Sequence, residues 1–225
     1  MELNNTIIKH YLKNVMFING TPYAGKSTMV KMLADKYGLM YCGENYDCIP
    51  KSIRTPDKFP NLCYFDTMKD WQEFVNRPPD KYAKWLFDTS REIEQFEIAY
   101  LMQVSENQKV IVDTNISLAV LREIADYNQV AIMLCPHEVS VENFFDRDDG
   151  DKSFLKARIT EAENPEKTMQ NFLDGIAKYS QDMHDEFADS GFFTLKRADT
   201  LNDTRKETFE LLARHFGLEK GAGGG

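Results

Sequence analysis

The chain has 225 residues, enough for one large α/β domain or two small ones, and its 42% hydrophobic and 28% charged content is that of an ordinary globular protein. A formal charge of −9 speaks against a general nucleic-acid binder, which would carry a basic face. No apolar run approaches the roughly 20 residues needed to cross a bilayer, and the N-terminus lacks a signal-peptide core.

Residues 5–12 read as a short amphipathic helix. Val15-Met16-Phe17-Ile18 is an apolar run of strand type. It leads into Gly20-Thr21-Pro22-Tyr23-Ala24-Gly25-Lys26-Ser27, an octet of the form G-x-x-x-x-G-K-[ST]. A helix follows to about Tyr37, with Gly38 closing it. Leu39-Met40-Tyr41-Cys42 is a second strand. Residues 44–66, rich in Pro, Asp and Asn, read as an irregular segment on the substrate side. Pro78-Pro79-Asp80 starts a long helix whose apolar or semi-apolar positions, Tyr82, Leu86, Thr89, Ile93, Phe96 and Tyr100, are spaced by four and three. Lys109 to Asp113 is a short β-branched strand of the buried parallel type. A helix over about 117–127 and the strand Val130 to Cys135 come next.

Helix returns near 138–145, a charged stretch covers 146–152, and another helix spans about 153–163. Asn164-Pro165 caps a long helix that carries Met169, Phe172, Ile176, Tyr179, Met183 and Phe187 on one face. Phe192 to Leu195 is a fifth strand. Thr204-x-x-Glu207 has the form of a capping box for the last helix, which ends at Gly217. Strands alternating with helices predict an α/β fold with a parallel sheet. The whole reads as a single domain over 1–220, with a flexible glycine-rich tail at 221–225. The four cysteines, Cys42, Cys48, Cys63 and Cys135, form no C-x-x-C pair, which argues against zinc and fits a reducing cytoplasm. Cys42 and Cys135, in strand-like runs, read as buried thiols.

The octet is the strongest chemical signal, because it lies between a strand and a helix as a phosphate-binding loop must. Its glycines let successive N–H groups turn inward around phosphate oxygens, and the helix behind adds its positive end. Gly20 through Thr28 are therefore the expected nucleotide-binding residues. Lys26 is expected to reach the β- and γ-phosphates, and the Ser27 hydroxyl to meet Mg²⁺.

Asp113, at the end of its strand, has the place of a carboxylate that holds Mg²⁺ through water or meets substrate; the alternative is a helix cap among Thr114, Asn115 and Ser117. Glu44 and Asp47 follow the second strand as candidate proton acceptors, with Asp47 preferred. In the stretch 146–158, read as a lid, Arg147, Lys152, Lys156 and Arg158 are candidate partners for transferring phosphate. Arg147 and Arg158 are preferred there because a guanidinium fork matches phosphate oxygens. Arg197, after the fifth strand, is placed to cradle adenine. Tyr46, Phe65, Trp71 and Trp85 are candidates for an aromatic-substrate pocket, with core packing as the competing reading. His137, with no Cys or Ser partner in sequence, reads as structural.

The loop Phe17 to Thr28, its short spacing to the helix, and Val112-Asp113 downstream resemble the P-loop small-molecule and nucleotide kinases, in the style of shikimate kinase, nucleoside monophosphate kinases and chloramphenicol phosphotransferase-like enzymes. The resemblance is firm over about 15–43 and loose over 109–216. It implies the P-loop NTPase fold with a five-stranded parallel sheet, a mobile lid, ATP and Mg²⁺, with Lys26, Ser27 and Asp113 in the family's roles. Two features depart from that pattern: the lid stretch is acidic where these families are arginine-rich, and 44–108 matches no acceptor signature. The expected activity is γ-phosphoryl transfer from ATP to a small-molecule hydroxyl or a nucleotide phosphate, with no nucleic-acid or membrane partner. A GTPase would require an N-K-x-D motif, which is absent. A remodelling ATPase would place a glutamate after Asp113, where Thr114 stands. The remaining alternative is a nucleotide-binding module or ATPase with a regulatory role and no acceptor.

Overall fold

Runs such as Val15–Gly20 and Val130–Leu134 are apolar at nearly every position because both of their faces are covered. The computed structural model describes residues 4–43, 48–145, 150–197 and 203–219. Strands β1 (Val15–Gly20), β2 (Met40–Cys42), β3 (Val110–Asp113), β4 (Val130–Leu134) and β5 (Phe193–Lys196) form a five-stranded sheet in the order β2-β3-β1-β4-β5. Every neighbouring pair is parallel. The register sets Ile18 of β1 beside Asp113 of β3 and Gly20 beside Met133 of β4.

Helices α1 (Asn5–Tyr11), α2 (Lys26–Tyr37), α3 (Tyr64–Thr67), α4 (Trp71–Val75), α5 (Pro79–Val104), α6 (Leu118–Ile124), α7 (His137–Glu142), α8 (Gly150–Thr160), α9 (Pro165–Ala188) and α10 (Arg205–His215) connect and cover the strands. Side chains alternate across the sheet with a period of two. Val15, Phe17, Val110, Val112, Val130, Ile132 and Leu134 enter one core with Leu101 of α5, Leu118 and Leu121 of α6, and Met183 and Phe187 of α9. Met16, Ile18, Ile111, Ala131 and Met133 enter the other with Met29, Val30 and Leu33 of α2 and Leu212 of α10. Each fully buried side chain of this kind, Phe17 for example, contributes about 1.5–3 kcal/mol. A third cluster joins Phe74 and Val75 of α4, Tyr82 of α5, Ile159 of α8 and Phe172 of α9.

Gly38 takes a left-handed φ of 63° at the end of α2, as its place in the sequence predicts. Asn164 caps α9 by accepting from the Lys167 N–H at 3.1 Å, with Pro165 opening the helix. Cys42 and Cys135 are buried as expected, and Cys63 is buried too.

The departures have local causes. α3 begins at the end of the segment read as irregular, and α4 follows it. Both are too short to signal by periodicity and form against the aromatic cluster. The buried stripe of α5 includes Glu94 and Glu97, a charge pattern that hydrophobic spacing passes over. Glu94 is retained there because its carboxylate accepts from the Ser117 backbone N–H at 2.8 Å. The helix expected over 117–127 stops at Ile124 and gives way to a 3₁₀ turn at Tyr127–Gln129. The Thr204 hydroxyl does not cap α10. The neighbouring Asp203 carboxylate takes the Arg205 N–H instead, at 3.0 Å.

Candidate functional site

β1 lies at the centre of the sheet, with β3 on one side and β4 on the other. The carboxyl end of such a strand is where open parallel sheets bind ligands, because the chain leaves it in opposite directions. The loop from Gly20 to Gly25 occupies that position.

Its shape is fixed by packing as much as by glycine. Gly20 has φ 129°, and a Cβ built on it would lie 1.9 Å from the Met133 carbonyl oxygen, so only hydrogen fits. The Thr21 N–H donates to that same oxygen at 3.0 Å. The Thr21 hydroxyl accepts from the Cys135 N–H at 2.7 Å, fastening the loop to the end of β4. Asn19 donates to the Ile116 carbonyl at 2.7 Å and accepts from the Gly20 N–H at 2.7 Å. Gly25, with φ 89°, turns the chain into α2. No side chain caps α2 and no acidic residue stands in its own first turn.

Three of the expected residues converge behind the loop. The Ser27 hydroxyl donates to Asp113 Oδ2 at 2.7 Å. Lys26 Nζ donates to the Thr21 carbonyl at 3.2 Å and lies 3.9 Å from Asp113 Oδ1. The Lys26 side chain is 10% exposed and that of Asp113 only 2%. Asp113 does not cap the following helix: α6 starts at Leu118 after Ser117. Its carboxylate serves the loop instead.

The other candidates fall in different places. Arg197 donates through Nη1 to the Tyr23 carbonyl at 2.7 Å and lines a cavity of about 650 Å³, which also borders Gly25, Thr28, Met133, Asp203 and Thr208. Arg205 holds the Asp203 carboxyl at about 2, below its ordinary value. Arg158 pairs with Glu161 at 2.9 Å and lies over the Phe154 ring. The cation of α8 that does meet the loop is Lys152, whose Nζ donates to the Tyr23 hydroxyl at 3.2 Å. The contact with the loop thus falls to Lys152, whereas the sequence preference among the lid cations was for Arg147 and Arg158.

Phe65, Trp71 and Trp85 engage one another and their neighbours: Trp71 meets Phe65 at 5.2 Å and Phe154 at 4.8 Å, and Phe65 meets Trp85 at 5.6 Å between centroids. Glu44, Tyr46, Asp47, Arg147 and the side chain of His137 lie outside the described residues, as do part of the lid stretch and the tail. Tyr23, expected among the nucleotide-binding residues, has a backbone conformation that sequence reading did not foresee. It has φ 63°, an uncommon conformation for a bulky residue that costs on the order of 1–3 kcal/mol. The octet treats its position as free, so nothing in the motif signals this.

The sequence matches no protein-family model and no curated protein.

Proposed function

We propose that the chain is an ATP-dependent phosphotransferase of the P-loop NTPase fold, moving the γ-phosphoryl group of ATP to a small-molecule hydroxyl or a nucleotide phosphate. The observation that carries this reading is the convergence of Lys26, Ser27 and Asp113 behind a glycine-shaped loop at the uncapped start of α2. Phosphoryl transfer asks little covalent chemistry of a protein; it asks for positioning and for charge neutralisation. The first N–H groups of α2 and the Lys26 ammonium supply both to a triphosphate.

A hydroxyl and a carboxylate held 2.7 Å apart are hard oxygen donors, which Mg²⁺ takes together with phosphate oxygens and water. Ser27 and Asp113 therefore fit that ion. When bound, it neutralises charge on the β- and γ-oxygens. Asp113 accepts the Ser27 proton and thereby turns the hydroxyl's lone pairs toward the loop. Arg197 fixes the loop through the Tyr23 carbonyl, and the cavity beside Gly25 and Thr28 has room for the nucleoside.

The test is ADP release from the full chain with Mg·ATP, with and without a panel of nucleosides, nucleotides, sugars and hydroxy acids. Acceptor-stimulated release that disappears in a folded Lys26→Ala variant is the expected result. Release that the variant retains would refute the assignment of the loop.

A further inference from the structure

Tyr23 is held from three directions. Its carbonyl accepts from Arg197 at 2.7 Å, on the wall of the cavity. Its hydroxyl donates to the Asn143 carbonyl at 2.8 Å, just past the end of α7. The same hydroxyl accepts from Lys152 Nζ at 3.2 Å, in the first turn of α8. The Lys152 ammonium also lies 5.6 Å from the Tyr23 ring centroid and 4.4 Å from that of Phe144. Both the aromatic faces and the hydroxyl thus hold the lysine head against the loop. One residue in the middle of the octet, through its carbonyl and its side chain, meets Arg197 of the cavity wall and Lys152 of α8 at once.

We propose that Tyr23 is a positioning residue that holds the Lys152 ammonium beside the phosphate loop, so that Lys152 and Lys26 meet the same polyphosphate. This rests on the phosphotransferase reading and adds the second cation and the group that orients it. A lysine stem recruited from water loses rotamer freedom on binding an anion; a stem already anchored on a phenol has lost most of it beforehand. The left-handed backbone of Tyr23 is what sends its ring toward α8 while its carbonyl meets Arg197. Loop shape and the placing of Lys152 are therefore one structural property. Phenylalanine at this position keeps the ring but removes the acceptor for Lys152 and the donor to Asn143.

Calorimetric titration of the full chain with inorganic tripolyphosphate tests this, because that ligand has no nucleoside and reports on the anion site alone. Tyr23→Phe and Lys152→Met are each expected to weaken binding about tenfold, and the double variant to bind no more weakly than Lys152→Met, since both remove one coupled device. Lys152→Arg is expected to restore most of the affinity, and thermal melting is expected to show all four variants folded. Wild-type binding that Tyr23→Phe leaves unchanged would overturn the proposal, as would losses that multiply in the double variant. Wild-type protein that binds neither tripolyphosphate nor Mg·ATP would overturn the phosphotransferase reading, and this proposal with it.

Discussion

At Gly20 the backbone approaches the Met133 carbonyl so closely that a methyl group would sit 1.9 Å from its oxygen. Gly20→Ala is therefore expected to destabilise the fold by about 2 kcal/mol or more, read as a lower urea midpoint at unchanged slope. An unchanged midpoint would mean the loop is less tightly seated on β4 than described. Asp113→Asn keeps an oxygen to accept from Ser27 but removes the charge. It is expected to cut the rate at saturating ATP about a hundredfold or more, on the order of 3 kcal/mol of barrier. A full rate would remove Asp113 from the chemistry. Lys26 and Ser27 were legible in sequence because the motif fixes their order and spacing at one strand–helix junction, and Asp113 because it ends a separate β-branched strand. Lys152 and Tyr23 were also candidates in the sequence, but their contact was not legible there. Their meeting depends on how α8 crosses the loop, and no local spacing encodes that.

Among the elements, α9 shows how much weight a cap can carry. Asn164 satisfies the Lys167 N–H at the start of a 24-residue helix that packs on the sheet and on α5. Asn164→Ala is expected to cost about 1 kcal/mol in urea unfolding, and Asn164→Asp to retain most of it. Equal stability in all three would show that α9 is held by packing alone. The three inner strands, β1, β3 and β4, were readable because a doubly covered strand is apolar almost throughout. The long helices were readable from their three-to-four spacing. α3 and α4 escaped because segments of four and five residues do not persist without the aromatic side chains they pack against. Glu94 escaped because a buried carboxylate answers a distant backbone N–H, here that of Ser117, which hydrophobic periodicity does not register.

For the molecule as a whole, the half-buried His215 and the buried Cys42 each contribute to the pH dependence of stability. His215 packs on the Phe193 ring at 4.3 Å and donates through Nε2 to the Val130 carbonyl at 2.9 Å. Burial lowers its pKa below the ordinary 6.5. The unfolded chain therefore binds more protons below about pH 6.5, and stability falls as pH drops through that window. At the other end, burial, with Glu97 and Cys48 adding, pushes the Cys42 thiol from 9.0 to about 11. The unfolded thiol ionises first, so stability falls as pH rises from 9 toward 11. Urea midpoints across pH should form a plateau with both limbs. His215→Phe should flatten the acid limb and Cys42→Ala the alkaline one. Limbs unaltered by these substitutions would assign the pH dependence to other groups.

The sheet, its two cores and the loop all bring one arrangement of backbone amides and one ammonium to the end of β1. Titration calorimetry of the folded chain with Mg·ATP tests that arrangement most directly. Saturable heat at one site per chain, lost in Lys26→Ala, is the expected result. Protein that melts cooperatively yet gives no heat with Mg·ATP would contradict it.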